Sequence, residues 1–541
     1  MASEASVRER IMAGRRLRWD DTRAADAYAR GWWSRATLGD ALVNAARETP
    51  GRVVIEDGVQ QLDCAVLLRD ARALAAAMLD FCATGSVISM MLPNWAEAAI
   101  VYHAATLAGM VVHPILPSMG EREIAFMLDD AQSRMVFVPR AFRGRDYVAM
   151  LETVCAGLAD PPRIVVVRGN SSGQIMFESL LAARPTQTLP EVDPDAVRMI
   201  MYTSGTTGRP KGVMHSQNSI GALIRQLGVH WLIAPGDRFL VPSPISHIGG
   251  SIYAFEMPVM LGISAVLMDQ WDATAGLALM RARGVTHMAG ATPFLEQLLA
   301  AAKAEDEQLP ALKLFVCGGA GVPPRLIEEA AGQFSNAVVT RVYGSTEVPV
   351  VTTGTIDRTD IRHAAHTDGR AGIAQIRLAP GDVPGGQEVV ARGPQMLVGY
   401  HRIEDGAAAF DAEGYFRTGD LGHFVDDAYL VISGRSKDII IRNGENIAPK
   451  EIEDLLGTHP AVAEIAIVGL PDARTGERAC AIVVPRGNAV PDLAELTGLL
   501  RAAGVARFKW PERLELWGAL PKNATGKVVK HEIRATLVAQ T

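Results

Sequence analysis

The sequence predicts an α/β protein with a large composite N-terminal domain, built of parallel sheets covered by helices plus a small β subdomain, and a small α+β C-terminal domain. Three observations predict it. Strand-like and helix-like segments alternate from Thr37 to Tyr343, the pattern of a mostly parallel sheet buried on both faces. Beyond Thr352 the texture turns to β and turn, with Gly and Pro frequent from Gly369 to Gly399. The short polar run Gly434-Arg435-Ser436-Lys437-Asp438 then precedes a compact remainder of about a hundred residues, a normal domain size. A chain of 541 residues is too long for one core, so domains at 1–435 and 436–541 are expected, with a hinge near Lys437.

Taken in order, Leu38 to Glu48 and Leu67 to Phe81 read as helices, Val87 to Leu92 as a buried strand and Trp95 to Ala108 as a helix. Val111 to Ile115 and Arg134 to Val138 are strands flanking a helix at Glu121 to Ala131. The apolar run Val197 to Tyr202 is a buried strand. Helices follow at Asn218 to Leu227, Ala273 to Arg283, Phe294 to Lys303 and Arg325 to Phe334, alternating with strands at Ser264 to Met268, His287 to Gly290, Leu312 to Cys317 and Val338 to Tyr343. In the C-terminal unit, strands are expected at Asp438 to Ile441, Val462 to Val468, Ala479 to Val484 and Arg513 to Trp517, with helices at Pro449 to Leu456 and Leu493 to Ala502.

Composition excludes several function classes. Lys+Arg 53 against Asp+Glu 60 gives a net charge of -7, which argues against nucleic-acid binding as the main activity. Five cysteines lie scattered without CxxC spacing, which fits a reducing, cytoplasmic compartment and argues against structural zinc. Residues Met1 to Arg18 carry five arginines but no apolar h-region, and Glu4 and Glu9 oppose a transit peptide. The longest apolar stretch, Ile248 to Met268, is broken by Gly249, Gly250, Glu256, Pro258 and Gly262, so no transmembrane segment is expected. No coiled-coil or repeat signal fixes the oligomeric state, and a homodimer is left open.

The stretch Thr203-Ser204-Gly205-Thr206-Thr207-Gly208-Arg209-Pro210-Lys211-Gly212 makes poor core and poor helix. Its glycines let consecutive N–H groups point into one concavity, its hydroxyls add donors and Lys211 adds a charge, which suits phosphate oxygens. It is not a Walker A loop, because its lysine is not followed by Ser or Thr at the required spacing. A second cluster, Tyr343-Gly344-Ser345-Thr346-Glu347, ends a strand with an aromatic, two small residues, a hydroxyl and a carboxylate. The ring can stack on a base, and Glu347 is a hard oxygen ligand suited to Mg²⁺.

With Thr418-Gly419-Asp420, Gly434-Arg435-Ser436-Lys437-Asp438 and Pro521-Lys522-Asn523-Ala524-Thr525-Gly526-Lys527, these motifs resemble, jointly and in order, the adenylate-forming enzymes: acyl-CoA synthetases, carrier-protein adenylation domains and luciferases. The resemblance covers the chain from about Thr37 to its end. It implies ATP, Mg²⁺ and coenzyme A as cofactors, with Thr203 to Gly208 and Lys211 on the phosphates, and with Thr206, Glu347, His247 and Lys527 catalytic. It further implies Gly319, Ala320, Gly321, Tyr343, Gly344, Ser345, Thr346 and Ile432 around the nucleotide, and Asp420 with Arg435 on the ribose. Lys437 would be the hinge of a mobile C-terminal domain, and Gly444 and Glu445 would border the path of a pantetheine arm. Pro242 to Gly250 would wall the acyl pocket, with His247, Ile248 and Gly249 facing Gly318 and Gly319.

Relatives that activate hydroxybenzoates carry Asn after the histidine, where this chain has Ile248, and no aspartate for an amino group occurs between Pro242 and Ser251. An apolar acid is therefore expected: medium or long chain, alicyclic or aromatic. The implied reaction is acid plus ATP giving acyl-AMP and pyrophosphate, then thiol attack giving a thioester and AMP. A carrier-protein thiol as acceptor, and a non-catalytic nucleotide-binding protein, are the alternatives.

Overall fold

The computed structural model describes residues 7–183, 187–203, 209–319, 321–380, 387–443, 445–487, 489–523 and 526–540. Two large sheets build the N-terminal part. The first is eight-stranded, in the order Ile175–Met176, Arg163–Val167, Ser133–Pro139, Val87–Met90, Val111–Pro114, Val197–Thr203, Lys211–Ser216, Gly399–Tyr400. It is parallel as far as Val197–Thr203, after which the last two strands pair antiparallel. The second is seven-stranded, running Val338–Val342, Leu314–Gly318, His287–Gly290, Arg238–Val241, Ser264–Leu267, Val53–Glu56, Gln61–Asp63, and only its last pair is antiparallel. The expected α/β alternation is thus present, as two sheets.

One core serves both sheets. Helix Ala96–Leu107 is apolar all round and buried almost everywhere, because its alanines let neighbouring backbones approach closely. It packs with helices Cys64–Leu79 and Gln217–His230 among Ile88 and Met199 of the first sheet and Phe239 and Val316 of the second. Burying that face removes a continuous apolar surface from water, at roughly 25 cal/mol per Å².

A four-stranded antiparallel sheet, Gln375–Leu378, Gln387–Arg392, Phe416–Val425 and Tyr429–Arg435, forms the expected small β subdomain. The C-terminal part has a five-stranded sheet whose longest strands, Val462–Asp472 and Gly476–Pro485, form an antiparallel pair. Period-2 alternation divides its faces. Ile467 packs with Ile452, Leu456 and Leu496 on one side, while Ala466, Val468 and Leu470 pack with Ile533 and Leu537 on the other. The Glu445–Ile447 strand places Ile447 on the first face, and Val528, next to Lys527, lies on the second.

Two sequence expectations change. The strand expected from Asp438 begins later, at Ile440–Arg442, and Ser436–Asp438 forms a 3-10 turn. Ser436 and Lys437 are exposed, so no apolar face holds them in a sheet. The arginine-rich N-terminus, for which no fold was expected, forms a hairpin, Val7–Met12 with Arg15–Asp20, followed by helix Asp21–Ala29.

Candidate active site

Strands Val197–Thr203 and Lys211–Ser216 form an antiparallel pair with Thr203 directly opposite Lys211, so both ends of the expected phosphate-loop stretch meet at one end of the sheet. The loop residues Ser204, Gly205, Thr206, Thr207 and Gly208 lie outside the described residues, as do Ala320 and Gly444. Lys211 Nζ sits 5.6 Å from the Tyr400 ring centroid.

The second motif is held from several directions. The Tyr343 N–H donates to Thr352 Oγ1 at 2.8 Å, and the Ser345 N–H to Val348 O at 3.1 Å. Gly344 has no room for a Cβ, which would stand 2.5 Å from Val350 N. The Thr346 carbonyl accepts from His215 Nε2 at 2.7 Å. A carbonyl only accepts, so the proton is on Nε2. Burial pushes His215 down to about 4, keeping it neutral. The Glu347 carbonyl accepts from the Leu397 N–H at 2.7 Å, and its carboxylate Oε1 accepts from the Tyr400 hydroxyl at 3.1 Å. Among the described residues the other oxygen, Oε2, has no hydrogen bond. A carboxylate oriented through one oxygen with the other open fits a divalent cation.

Asp420 and Arg435 are cross-strand neighbours in the β subdomain, which explains why two motifs 15 residues apart meet. Arg435 Nε lies 3.0 Å from Asp420 Oδ1, and the Tyr343 hydroxyl donates to Oδ2 at 2.6 Å. Asp420 is buried. Burial, with the Asp420 charge beside it, raises the Tyr343 phenol well above its ordinary value. The ring is therefore tethered to the Asp420 carboxylate. Ile432 donates its N–H to Asp368 Oδ2 at 2.8 Å on the same strand as Arg435.

Lys527 reaches this cluster from the C-terminal domain. Its chain makes a tight turn: the Asn523 N–H donates to Lys527 O and the Lys527 N–H to Asn523 Oδ1, each at 2.9 Å. Gly526 takes a positive φ of 79° there, as glycine does without strain. Burial and the Arg435 charge lower the Lys527 amine, against the opposing pull of Asp420 and Glu347. All four groups therefore share one electrostatic environment.

His247 caps a short helix, Ile248–Ser251, that continues into a π-helical turn at Ile252–Glu256, a departure from α geometry that often accompanies a functional site. Its Nε2 is buried without a hydrogen-bond partner among the described residues, and burial with the nearby Lys527 charge pushes the imidazole down to about 4. The segment before it is clamped by Asn94, whose side-chain amide donates to Val241 O and Ser243 O and accepts from the Ile245 N–H. Ile248 is half-buried against the main core, and a Cβ at Gly249 would stand 3.4 Å from the Tyr253 ring. Gly250 is obligatory, because a Cβ there would lie 2.1 Å from Pro244 O. Gly318 ends its strand against Val342 O. Gly321 follows, its carbonyl accepting from Thr292 Oγ1 at 2.8 Å, and it lies near Lys450 of the C-terminal domain.

Lys437 and Glu445 are exposed, and Glu445 stands on the Glu445–Ile447 strand rather than in the Lys527 cluster. His215, Asn94 and Tyr400 carry no motif of their own. The strand order that puts Gly399–Tyr400 beside Lys211–Ser216 reveals Tyr400 and His215, and the approach of the two large sheets reveals Asn94.

The fold and these residues match an established family. Its model for an AMP-binding enzyme matches residues 42–401, and that for an AMP-binding enzyme C-terminal domain matches residues 451–527. The chain belongs to the AMP-binding enzyme family. It is 32% identical to the medium-chain fatty-acid–CoA ligase of Escherichia coli, over 96% of this chain and 94% of that one. It is 31% identical to the indoleacetate–CoA ligase of Aromatoleum aromaticum, over 91% and 96%. Among solved structures it resembles ATP-bound MatB from Rhodopseudomonas palustris, with a TM-score of 0.83 and 26% identity over 93% of this chain and 99% of that one.

Proposed function

We propose that the protein is an ATP-dependent acid:CoA ligase for an apolar carboxylic acid, forming acyl-AMP and pyrophosphate and then acyl-CoA and AMP. The observation that carries this reading is the position of Lys527, which a separate C-terminal unit delivers into the environment of Asp420, Arg435, Glu347 and His247. Attack of a carboxylate oxygen on the α-phosphorus breaks its bond to pyrophosphate and accumulates negative charge on the oxygens around it. A lysine amine held there stabilises that charge by electrostatics, without proton transfer. Tyr343, Asp420 and Arg435 orient adenosine, Thr346 donates to the α-phosphate, and the turn from Thr203 to Lys211 holds the leaving phosphates. Glu347 would hold Mg²⁺, which when bound screens phosphate charge.

The neutral His247 and the apolar surroundings of Ile248 line the acyl side, which suits an acid without amino or hydroxyl substituents. CoA ligase relatives of both aliphatic and aromatic acids support the acceptor and the breadth of acids considered. For the second step we assign 436–541 as a domain that turns about Lys437 to exchange its Lys527 face for the face bearing Glu445. What supports this is that Ile447, two residues from Glu445, and Val528, next to Lys527, pack on different faces of the C-terminal sheet.

The test is a panel of linear, cyclic and aromatic carboxylates assayed for pyrophosphate release, followed by thioester formation with free CoA. Acid-dependent pyrophosphate with acyl-CoA product is expected. Pyrophosphate exchange without acyl-CoA would transfer the reading to a carrier-protein thiol, and preference for amino or hydroxybenzoic acids would refute the apolar pocket.

A further inference from the structure

A cavity of about 800 Å³ lies between the N-terminal hairpin and the eight-stranded sheet. Arg8, Arg15, Arg16, Arg18 and Arg134 line it, against only two carboxylates, Glu9 and Asp411. Three of these arginines have carboxylate partners: Arg8 with Asp21 at 3.0 Å, Arg16 with Glu9 at 3.8 Å and Arg134 with Asp160. Arg15 and Arg18 have none among the described residues.

Arg18 lays its guanidinium 4.0 Å from the Phe410 ring centroid. Arg15 Nη1 lies 3.3 Å from His401 Nδ1. His401 Nε2 faces the Asp130 carbonyl at 2.7 Å, so it carries the ring proton and Nδ1 accepts from Arg15. That neutral contact is the only hydrogen bond of the Arg15 side chain among the described residues, and its Nε is buried without a partner. Burial disfavours the charge on both arginines, yet a guanidinium does not give up its proton near neutral pH. Arg18 has the Asp20 and Asp411 charges near it but no direct ion pair, and no carboxylate stands beside Arg15 among the described residues. Two partly buried cations so incompletely compensated are costly, and an anion in the cavity offsets that cost. Guanidinium forks match phosphate oxygens in pairs, and the volume is that of a small-molecule site.

We propose that this cavity binds a polyphosphate-bearing small molecule, with Arg15 and Arg18 as its inner ligands and the exposed Arg16 and Arg134 at its rim. Tyr400 lines the cavity and also hydrogen-bonds Glu347, so the two sites share one residue.

The test is equilibrium dialysis of the full chain against inorganic tripolyphosphate and against ADP, at about 50 and 200 mM salt, where phosphate contacts weaken steeply as counter-ions compete. Salt-sensitive tripolyphosphate binding is expected, at least roughly tenfold weaker in Arg15→Gln/Arg18→Gln. Binding unaffected by the double substitution, or no binding, overturns the proposal. Because substitutions at half-buried positions can disturb the hairpin, Arg16→Ala and Arg134→Ala supply a second readout at exposed positions, with about threefold weakening expected in each. In the unaltered protein, tripolyphosphate should slow amide exchange across residues 7–20 and 399–411, and unchanged exchange there also counts against the site. If ADP binds these arginines more tightly than tripolyphosphate, the ligand is a nucleotide. The reverse order identifies a free phosphate chain.

Discussion

Asp420 and Arg435 stand directly opposite each other on neighbouring antiparallel strands, 3.0 Å apart, and the Tyr343 hydroxyl takes the second Asp420 oxygen at 2.6 Å. Tyr343 lies 77 positions earlier in the chain, so one carboxylate ties the end of a parallel sheet to the β subdomain. Asp420→Asn removes the charge from both contacts. Hydrogen bonds to charged groups contribute about 1.5–3 kcal/mol each, and the two are not additive. The KM for ATP in pyrophosphate exchange should rise by about 10- to 100-fold, and Tyr343→Phe, which keeps the ring, should cost less. A KM that does not move would remove Asp420 from the nucleotide site.

Lys527→Ala should reduce adenylation by about 10²- to 10³-fold, as loss of one preorganised donor does. Lys211→Ala should do less, because Lys211 lies by Tyr400 at the hairpin base. The pH profile is a sharper check. The protonated amine is the active form, and its pKa lies below the ordinary lysine value of 10.5 because burial and Arg435 disfavour its charge. The alkaline limb of adenylation should therefore fall below pH 10.5, and Lys527→Arg should move it upward even where the rate is poor.

Four histidines are held neutral by burial: His103 and His113 at about 3, His215 and His247 at about 4. Unfolded, each returns to about 6.5. Between these values the unfolded chain binds more protons than the folded one, so stability rises with pH. It is fully present above 6.5 and is lost as pH falls toward 3. Thermal midpoints measured across that window should decline steadily. His247→Gln should flatten part of the decline, and a slope identical to the parent's would contradict the buried neutral state of His247.

Tyr400→Phe removes the hydroxyl that fixes Glu347. A hydrogen bond to a carboxylate of about 1.5 kcal/mol corresponds to roughly tenfold. The Mg²⁺ concentration needed for half-maximal adenylation should rise by about that factor while the KM for the acid stays put. Equal change in both would mean that Tyr400 supports the general fold of the site.

Gly250→Ala places a methyl within 2.1 Å of the Pro244 carbonyl and should distort the turn carrying His247. Overpacking of this kind costs roughly 1–3 kcal/mol. A lowered thermal midpoint with a larger loss in acid KM than in ATP KM is expected, and parent-like values in both would show that the turn yields freely.

The legible part of the site was local. Tyr343 to Glu347 and Thr203 to Gly212 carry their chemistry within single short stretches, and Asp420 with Arg435 falls within one hairpin, so spacing and resemblance single them out as candidates. Tyr400, His215 and Asn94 act on residues 53, 131 and 151 positions away, and nothing in their own neighbourhoods marks them. The hairpin at Val7–Asp20 was missed for a different reason. In the sequence its arginines bear only on a signal or transit peptide, yet Leu17 and Trp19 are buried and the Arg18 N–H pairs with Val398 O, contacts that exist only once the sheet edge is built.

By itself, then, the sequence determined the alternation that makes an α/β fold and the residue types able to handle a nucleotide, because periodicity and short motifs are properties of neighbouring residues. Tertiary structure alone decided which of them meet. Lys527 joins Glu347 and Asp420 from another domain, Tyr400 orients Glu347, and the arginines of the first hairpin line a second cavity. Such meetings depend on strand order and domain placement, which are fixed by burial summed over the whole chain and leave no mark at any one position.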